Sequence, residues 1–245
     1  MLPLKIFLVK NYLEESHWMI NIKHVFFDLD HTLWDFDRNS KLAFRKVFEI
    51  NDLTMPFEDF IEIYVPINKQ YWKWYREDRV TKSQLRYGRL LKTFKKLGKP
   101  VTDGLIHKLS DDYITYLPEN NHLFDGVLEL LSYLSEKYSL HIITNGFEEV
   151  QQSKIQLSGL SSFFNTITTS ENVGVKKPHP KIFQHAIKLA NASIENSIMI
   201  GDTYEADIVG AQNIKMQSIC FNYHKAILPK EVITVNRISD IASHL

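Results

Sequence analysis

Two stretches of the chain decide its fold, and they read HVFFDLDHT at residues 24–32 and IMIGDTYEAD at residues 198–207. Each begins with a short apolar run and ends in acidic residues. Continuous apolar runs of this length are typical of buried parallel strands. Parallel strands deliver the residues at their carboxyl ends to one edge of a sheet, where open α/β folds bind ligands. Carboxylates gathered there repel one another, so the pattern predicts a hard divalent cation with oxygen ligands.

The apolar run of the second stretch covers 197–201. Further strand-like runs lie at 139–143, 166–169 and 216–221, with a weaker one at 232–235 and helical patterns between most of them. This alternation predicts an α/β fold with a Rossmann-like, doubly wound parallel sheet.

The interval 37–121 breaks the alternation, because it contains four helical patterns and no convincing strand. We therefore expect a core domain formed by residues 1–36 and 122–245, with an inserted all-helical cap domain of residues 37–121. Since the insert follows directly after the first acidic pair, it is a candidate lid over the site.

The composition narrows the class of protein. Lys and Arg total 29 and Asp and Glu total 29, so no global field attracts nucleic acid polymers or an anionic membrane. No apolar run is long enough to span a bilayer, and residues 1–18 lack the pattern of a signal peptide. Those residues are either a loose extension or lie upstream of a start at Met19.

Cys220 is the only cysteine. A disulfide within the chain is therefore impossible, which indicates a reducing, cytoplasmic location. Because Cys220 lies inside a strand-like run, we interpret it as an inert core residue rather than a catalytic thiol.

The first acidic pair, Asp28 and Asp30, has the residue types that nucleophilic and acid–base chemistry require. One carboxylate can attack an electrophile while the other moves a proton. Thr32 is placed to orient the turn by hydrogen bonding. The same residues would also suit an Asx-rich turn that merely ends a strand.

Two further segments offer groups that bind anions. Thr144, Asn145 and the following glycine end a strand-like run and can donate to an oxyanion, although Asn-Gly is also a common turn. Lys177 precedes Pro178, which suits the first turn of a helix running to about residue 190. A single lysine in such a place is otherwise a solvated surface residue, and the sequence leaves a choice between Lys176 and Lys177 for phosphate contact.

The second acidic stretch supplies the remaining candidate residues. Asp202 follows Gly201 at the end of a strand and suits a metal ligand. Asp207 lies five residues further on and either orients Lys177 or binds the metal through water. It would equally suit the first turn of a helix, where the dipole favours an acid.

The order and spacing of these four segments resemble the haloacid dehalogenase superfamily, and the insert resembles its helical-cap subclass. The resemblance implies that Asp28 is a nucleophile that becomes an aspartyl-phosphate. It implies that Asp30 protonates the leaving oxygen and then activates water, and that Thr144 and Lys177 bind the phosphoryl oxygens. Mg²⁺ would be held by the Asp28 carboxylate, the Asp30 backbone carbonyl and Asp202, with Asp207 in support.

The presence of the second acid, Asp30, favours phosphate ester hydrolysis over the cleavage of a carbon–halogen bond in a 2-haloacid. Residues 33–37 and the arginines at 86 and 89 resemble the nucleotidase-like branch, which includes the pyrimidine 5′-nucleotidases, and this favours a nucleoside 5′-monophosphate. A sugar phosphate, acylneuraminate-9-phosphate or phosphoglycolate remains an alternative substrate. A phosphomutase and a non-enzymatic phospho-acceptor remain alternative functions.

Three aromatic side chains are candidate specificity residues. His31 departs from the family pattern and either points toward the substrate or is an exposed turn residue. Trp34 is a candidate wall of the pocket. Trp72 could stack on a base or pack against the core domain. The expected partner is a small phosphate monoester, and the sequence does not indicate an oligomeric state.

Overall fold

The computed structural model describes residues 21–245, so the expectations for residues 1–18 lie outside its described part. In that part, six parallel strands form one sheet in the order β3-β2-β1-β4-β5-β6. The strands are β1 His24–Phe27, β2 Ser139–Thr144, β3 Phe164–Thr169, β4 Ser197–Gly201, β5 Gln217–Phe221 and β6 Thr234–Val235. The predicted α/β class and parallel sheet are confirmed.

The strand order reverses between β1 and β4, which makes that position the topological switch point of a doubly wound sheet. Phe27 ends β1 level with Ile142 of β2 and Ile200 of β4. The amide of Asp28 then donates to the Ile200 carbonyl at 2.8 Å. The residues that follow β1, β2 and β4 therefore share one edge of the sheet.

The helices follow the predicted pattern between the strands and across the insert. They are α1 Phe36–Ile50, α2 Phe57–Arg76, α3 Lys82–Lys96, α4 Asp103–Tyr116, α5 Val127–Ser135, α6 Glu148–Leu157, α7 Ser170–Val173, α8 Pro180–Leu189 and α9 Gly210–Gln212. A π-helical turn covers Tyr204–Val209, and 3₁₀ turns cover Leu117–Glu119 and Ile238–His244. None of the helices within residues 21–245 is long and apolar enough to cross a bilayer.

The chain divides into two compact units. The sheet unit comprises the residues up to Leu33 together with Phe124–Thr144 and Ser161–Leu245, and the helical unit comprises Trp34–Leu123 and Asn145–Leu160. The boundaries differ from the expected ones chiefly in the second segment of the helical unit, which the sequence analysis assigned to the core.

The segment Asn145–Leu160 packs with the helical unit through both apolar and charged contacts. The ring of Phe147 lies 5.2 Å from that of Trp72, and Lys82 pairs with Glu149 at 2.9 Å. A short helix after a strand has an apolar face in either arrangement, so its sequence does not reveal which unit that face covers.

The sheet unit has its own core. Phe26, Ile143 and Met199 from three adjacent strands pack against Ile182 and Phe183 of α8, within a larger buried cluster. Such interdigitated apolar side chains are what hold the strand ends in fixed positions.

Cys220 of β5 is buried in a separate apolar cluster of the sheet unit. Burial raises the pKa of its thiol to about 12, and the negative charges of Asp207 and Asp202 act in the same direction. The burial confirms Cys220 as a core residue, and the raised pKa disfavours the reactive thiolate.

Candidate active site

The switch point of the sheet carries the predicted acidic residues. Asp28 follows β1 and Asp202 follows β4, the two strands on either side of the reversal. Thr144 ends β2 on the other side of β1 and is buried. Because an apolar strand precedes each of these polar residues, the fold brings Asp28 to the same edge as two residues that lie more than a hundred positions further along the chain.

Lys177 joins this edge and is almost fully buried, with 2% of its surface exposed. Its ammonium nitrogen lies 2.7 Å from Asp28 Oδ1 and 2.6 Å from Asp207 Oδ1, and it donates to the Ile143 carbonyl at 2.7 Å. The three donors of a lysine ammonium therefore have three oxygen partners. Of the two candidate lysines, Lys177 is the one that enters the carboxylate cluster.

The helix expected to begin at Pro178 begins two residues later. Helix α8 has Pro180 in its first turn, and the side chain of His179 caps it by accepting from the Lys181 amide at 3.1 Å. Both Pro178 and Pro180 suit a first helical turn. The cap at His179 makes Pro180 the first residue of the helix. Lys177 therefore lies on a loop three residues before the helix, rather than directly at its N-terminus as expected.

Asp207 is held by its own loop. One carboxylate oxygen accepts from the Thr203 amide at 3.0 Å while the other pairs with Lys177. A side chain at Gly201 would place its Cβ 2.4 Å from the Asp207 carboxylate. Glycine at 201 is therefore required so that the carboxylate can lie against the backbone, and Gly201 thus supports the site sterically.

Asp202 is bound by side chains on two sides. Thr32 Oγ1 donates to Asp202 Oδ1 at a long 3.4 Å, and His224 Nε2 lies 3.0 Å from Asp202 Oδ2. The contact from Thr32 agrees with the supporting role predicted for that residue. His224 was missed by the sequence analysis, although it comes three residues after β5 and thus at the same edge of the sheet.

The electrostatics of the cluster follow from burying three carboxylates with one ammonium. Burial raises the pKa of Asp28 well above its ordinary value; Lys177 opposes this rise, while Asp207 and Asp202 add to it. Burial also raises the pKa of Asp207. The pKa of Lys177 is raised because the charges of Asp207 and Asp28 outweigh its burial.

Asp202 behaves differently from the other two carboxylates. Burial alone would raise its pKa, but the hydrogen bond from His224 and the electrostatic interactions with His31, His224 and Lys177 outweigh it and lower the pKa. Asp202 is thus the most readily ionised member of the cluster.

A divalent cation fits this donor set. Asp28, Asp202 and Asp207 offer carboxylate oxygens that all lie within 4.8 Å of one another. With three carboxylates and one ammonium the cluster is short of positive charge, and all-oxygen ligands match Mg²⁺ or Ca²⁺. The carboxylate of Asp30 is not one of the three; Asp30 lies two residues beyond Asp28 and is half-buried.

The remaining candidate residues lie in the helical unit or at its ends. Asn145 belongs to the segment that packs with the helical unit. Trp34 is fully buried there, with the Lys154 ammonium 4.1 Å from its ring centroid. Trp72 is half-buried and packs against Tyr75 and Phe147. The burial of Trp34 makes it a core residue of the helical unit rather than an open pocket wall.

The helical unit also contains a cavity of about 350 Å³. Its lining residues are Lys82, Ser83, Arg86, Tyr87, His107, Ser110 and Asp111. None of them belongs to the carboxylate cluster, and Arg86 is paired with Asp111 at 2.6 Å.

The comparison with known protein families agrees with the geometry. Residues 22–215 match the family model for haloacid dehalogenase-like hydrolases. The chain belongs to this family. It is therefore a hydrolase, and the resemblance stated from its four segments is confirmed.

Two relatives and one solved structure are similar over most of their length. Pyrimidine 5′-nucleotidase YjjG of Escherichia coli is 33% identical over 218 residues, which cover 89% of this chain and 93% of the relative. Glyceraldehyde 3-phosphate phosphatase of Pyrococcus abyssi is 32% identical over 213 residues, or 83% of each chain. The crystal structure of the HAD-hydrolase YfnB from Bacillus subtilis bound to magnesium is 28% identical, with a TM-score of 0.82 over 91% of this chain and 98% of that one.

Proposed function

We propose that this hydrolase is a Mg²⁺-dependent phosphatase that cleaves small phosphate monoesters through a phosphorylated Asp28, with nucleoside 5′-monophosphates as its substrates. The observation that carries the proposal is the buried ammonium of Lys177 between Asp28 and Asp207, beside Asp202. The Asp28 carboxylate is held next to the ammonium of Lys177 and near Asp202, which would bind the metal. This arrangement suits attack on a phosphoryl group, because phosphoryl transfer depends mostly on positioning and charge neutralisation.

In the first step an oxygen of Asp28 attacks phosphorus and the bond to the ester oxygen breaks. Asp30 gives its proton to that oxygen, so the alcohol leaves neutral. In the second step Asp30 takes a proton from water, the water oxygen attacks phosphorus, and Asp28 leaves as a carboxylate. Bound Mg²⁺, held by Asp28, Asp202 and the backbone at Asp30, would neutralise charge on the phosphate and allow an anion to approach it.

Lys177 has a specific part in this sequence, because its three donors already have partners. To bind a phosphoryl oxygen, the ammonium of Lys177 must replace its contact with Asp28 by a contact with that oxygen. Asp207 and the Ile143 carbonyl continue to hold the ammonium in place. That exchange is matched to the reaction, since the Asp28 carboxylate loses its negative charge when it becomes an acyl phosphate and the phosphoryl group brings new negative charge. Thr144, at the end of β2, would donate to the same group.

The relatives support a phosphate monoester but differ in its alcohol portion. YjjG is named as a pyrimidine 5′-nucleotidase, and we take nucleotides as the first substrate class because that relative covers most of the chain. The relative from Pyrococcus abyssi is named as a glyceraldehyde 3-phosphate phosphatase, which makes a small sugar phosphate the second candidate. The packing of Trp72 against Phe147 explains that tryptophan without a bound base.

A screen of purified enzyme with nucleoside monophosphates, sugar phosphates and phosphoglycolate, with Mg²⁺ and with excess chelator, tests the proposal. Release of inorganic phosphate separates hydrolysis from transfer to another position of the substrate. We expect turnover that requires Mg²⁺ and is fastest with a nucleoside 5′-monophosphate. A preference for a sugar phosphate would remove the nucleotide assignment, and turnover in excess chelator would remove the Mg²⁺ role.

Two variants test the chemistry. Asp28→Asn should abolish transfer of labelled phosphate to the protein. Asp30→Asn should lower kcat by about 10²–10⁴-fold, the usual contribution of a general acid–base group. With an aryl phosphate, whose leaving group needs no proton, Asp30→Asn should accumulate labelled protein. Glu205→Gln is the matched control, because Glu205 is an exposed acid in the same turn as Asp207. Labelling that survives in Asp28→Asn would refute the assignment of the nucleophile.

A further inference from the structure

Two histidines and Asp202 lie close together after three neighbouring strands, and the side chains of all three residues are of types that can bind a metal ion. His31 lies in the turn after β1, Asp202 follows β4 and His224 follows β5, and these strands are adjacent in the sheet. One ring nitrogen from each histidine and a carboxylate oxygen of Asp202 all lie within 4.8 Å of one another. The ring centroids of the two histidines are 5.0 Å apart.

The backbone and a neighbouring ring hold the first histidine in place. His31 has a φ of +62°, in the left-handed region that few residues other than glycine adopt. Its imidazole stacks on the ring of Tyr223 with centroids 5.3 Å apart, and Tyr223 in turn contacts Phe124 at 5.1 Å. The ring of His31 is therefore supported from one side, and it lies beside His224.

The chemistry of this group differs from that of the three carboxylates. Two imidazoles and one carboxylate are ligands suited to Zn²⁺ and similar transition-metal ions, whereas Mg²⁺ selects oxygen ligands. We propose that His31, His224 and Asp202 form a second cation site, which binds a transition-metal ion of the Zn²⁺ class. This site would share Asp202 with the Mg²⁺ site.

The geometry allows such an ion with small movements. Zn²⁺ bonds of about 2.0–2.2 Å place neighbouring ligand atoms roughly 3–3.5 Å apart, so the outermost donors must approach by about 1 Å. His224 Nε2 is already 3.0 Å from Asp202 Oδ2. The side chain of His224 is 34% exposed, which leaves it room to rotate and lets an ion enter from solvent. Asp202 itself is held by Thr32 and Thr203.

Occupation of this site has a consequence that rests on the proposed function. An ion between the two histidines takes an oxygen of Asp202, which the Mg²⁺-dependent reaction also requires. Zn²⁺ should therefore inhibit hydrolysis, and a chelator selective for Zn²⁺ over Mg²⁺ should restore it. Inhibition should be lost in parallel with Zn²⁺ binding when either histidine is replaced.

Binding itself is tested without any turnover, by titrating Co²⁺ into the full-length protein in buffer with excess Mg²⁺ and following the visible absorption of the bound ion. Competition by Zn²⁺ then gives the affinity for Zn²⁺. We expect one Co²⁺ per chain in the wild type. His31→Ala and His224→Ala should each weaken binding by at least about tenfold, which is already the effect of losing an outer-sphere partner of a metal site. Unfolding midpoints check that both variants fold.

Two further variants locate the ion. Asp28→Asn removes a ligand of the carboxylate cluster only, so it should leave Co²⁺ binding intact. His185→Ala is the matched control, because His185 is an exposed histidine on α8 far in sequence from the other two. Loss of Co²⁺ binding in Asp28→Asn together with its retention in both histidine variants would place the ion in the Mg²⁺ site and overturn the proposal. Absence of Co²⁺ binding in the wild type would overturn it as well.

The failure of this proposal and that of the proposed function are distinguishable. If Co²⁺ binds through the histidines but no phosphate ester is hydrolysed with Mg²⁺, the second site stands and the phosphatase assignment falls. If Mg²⁺-dependent hydrolysis is found but Co²⁺ binding ignores both histidines, the reverse holds.

Discussion

Replacing Lys177 with methionine removes the ammonium from the carboxylate cluster while keeping most of the side-chain volume. The ammonium lies 2.7 Å from Asp28 and 2.6 Å from Asp207, and it is 2% exposed. Deleting one partner of a buried ion pair costs about 3–5 kcal/mol of unfolding free energy, because the remaining charge stays buried without compensation. We therefore expect Lys177→Met to destabilise the metal-free protein by that amount at mildly alkaline pH.

The cost should depend on pH in a defined direction. Burial already raises the pKa values of Asp28 and Asp207, and removal of Lys177 raises them further. A carboxyl group whose pKa is higher in the folded than in the unfolded state binds more protons when folded. Its contribution to stability is then present at low pH and is lost as the pH rises through the folded pKa. The destabilisation by Lys177→Met should therefore shrink at mildly acidic pH.

Urea denaturation with chelator present, at one mildly alkaline and one mildly acidic pH, measures both quantities. Lys176→Met is the matched control, because Lys176 is the neighbouring lysine and is only half-buried. Adding Asp207→Asn to Lys177→Met should recover part of the loss, since it removes one uncompensated charge. A cost below about 1 kcal/mol, the range of exposed ion pairs, or a cost that is equal at both pH values, would refute the reasoning.

Three more predictions concern the same edge and the opposite end of the sheet. In Gly201→Ala the added methyl group would lie 2.4 Å from the Asp207 carboxylate. We expect it to lower the free energy of unfolding by about 1–3 kcal/mol, as overpacking does, and to reduce phosphatase activity. Urea denaturation and initial rates measure the two effects. Mg²⁺ at about 100 times its Kd should stabilise the wild type by about 2.7 kcal/mol, as seen in urea titrations, and Asp202→Asn should abolish this gain. Burial and the nearby His24 lower the pKa of His141 from 6.5 to about 4, so the unfolded chain binds the extra proton first and stability should fall by up to about 3 kcal/mol as the pH drops through that window. His141→Gln should flatten that part of the pH–stability curve; an unchanged slope would assign the acid sensitivity to other groups.

The sheet and the central part of the site could be predicted from the sequence because each signal is local. The apolar runs before Asp28 and Asp202 are long enough to be strands and too continuous to face solvent, and both became strands next to each other. Once two such runs belong to one parallel sheet, the rules of strand connection place their carboxyl ends together. That Lys177 acts at the same site as Asp28 was expected only from the resemblance to the family, since no local pattern brings together residues 149 positions apart. Their direct contact was not predicted.

The features that were missed depend on contacts that a local pattern does not encode. Either proline could occupy the first turn of helix α8. The helix begins at Pro180 rather than near Pro178, because His179 caps it. The polar residues around His224 after β5 form no recognisable motif. The contact of His224 with Asp202 could have been found only by asking, for every strand of the sheet, which polar residues follow its carboxyl end. The membership of Asn145–Leu160 in the helical unit is set by tertiary packing, which overrides position along the chain.

The helical unit is assembled from two separate stretches of chain. It therefore cannot be exchanged between relatives as one continuous segment. A chimera that receives only Trp34–Leu123 from a relative would keep its own Glu148–Leu157 helix, whose buried Val150, Gln151 and Ile155 were fitted to a different surface. Transplants between family members should therefore carry both stretches together. Among relatives that differ in substrate, residues of one stretch should vary together with the residues of the other stretch that they contact.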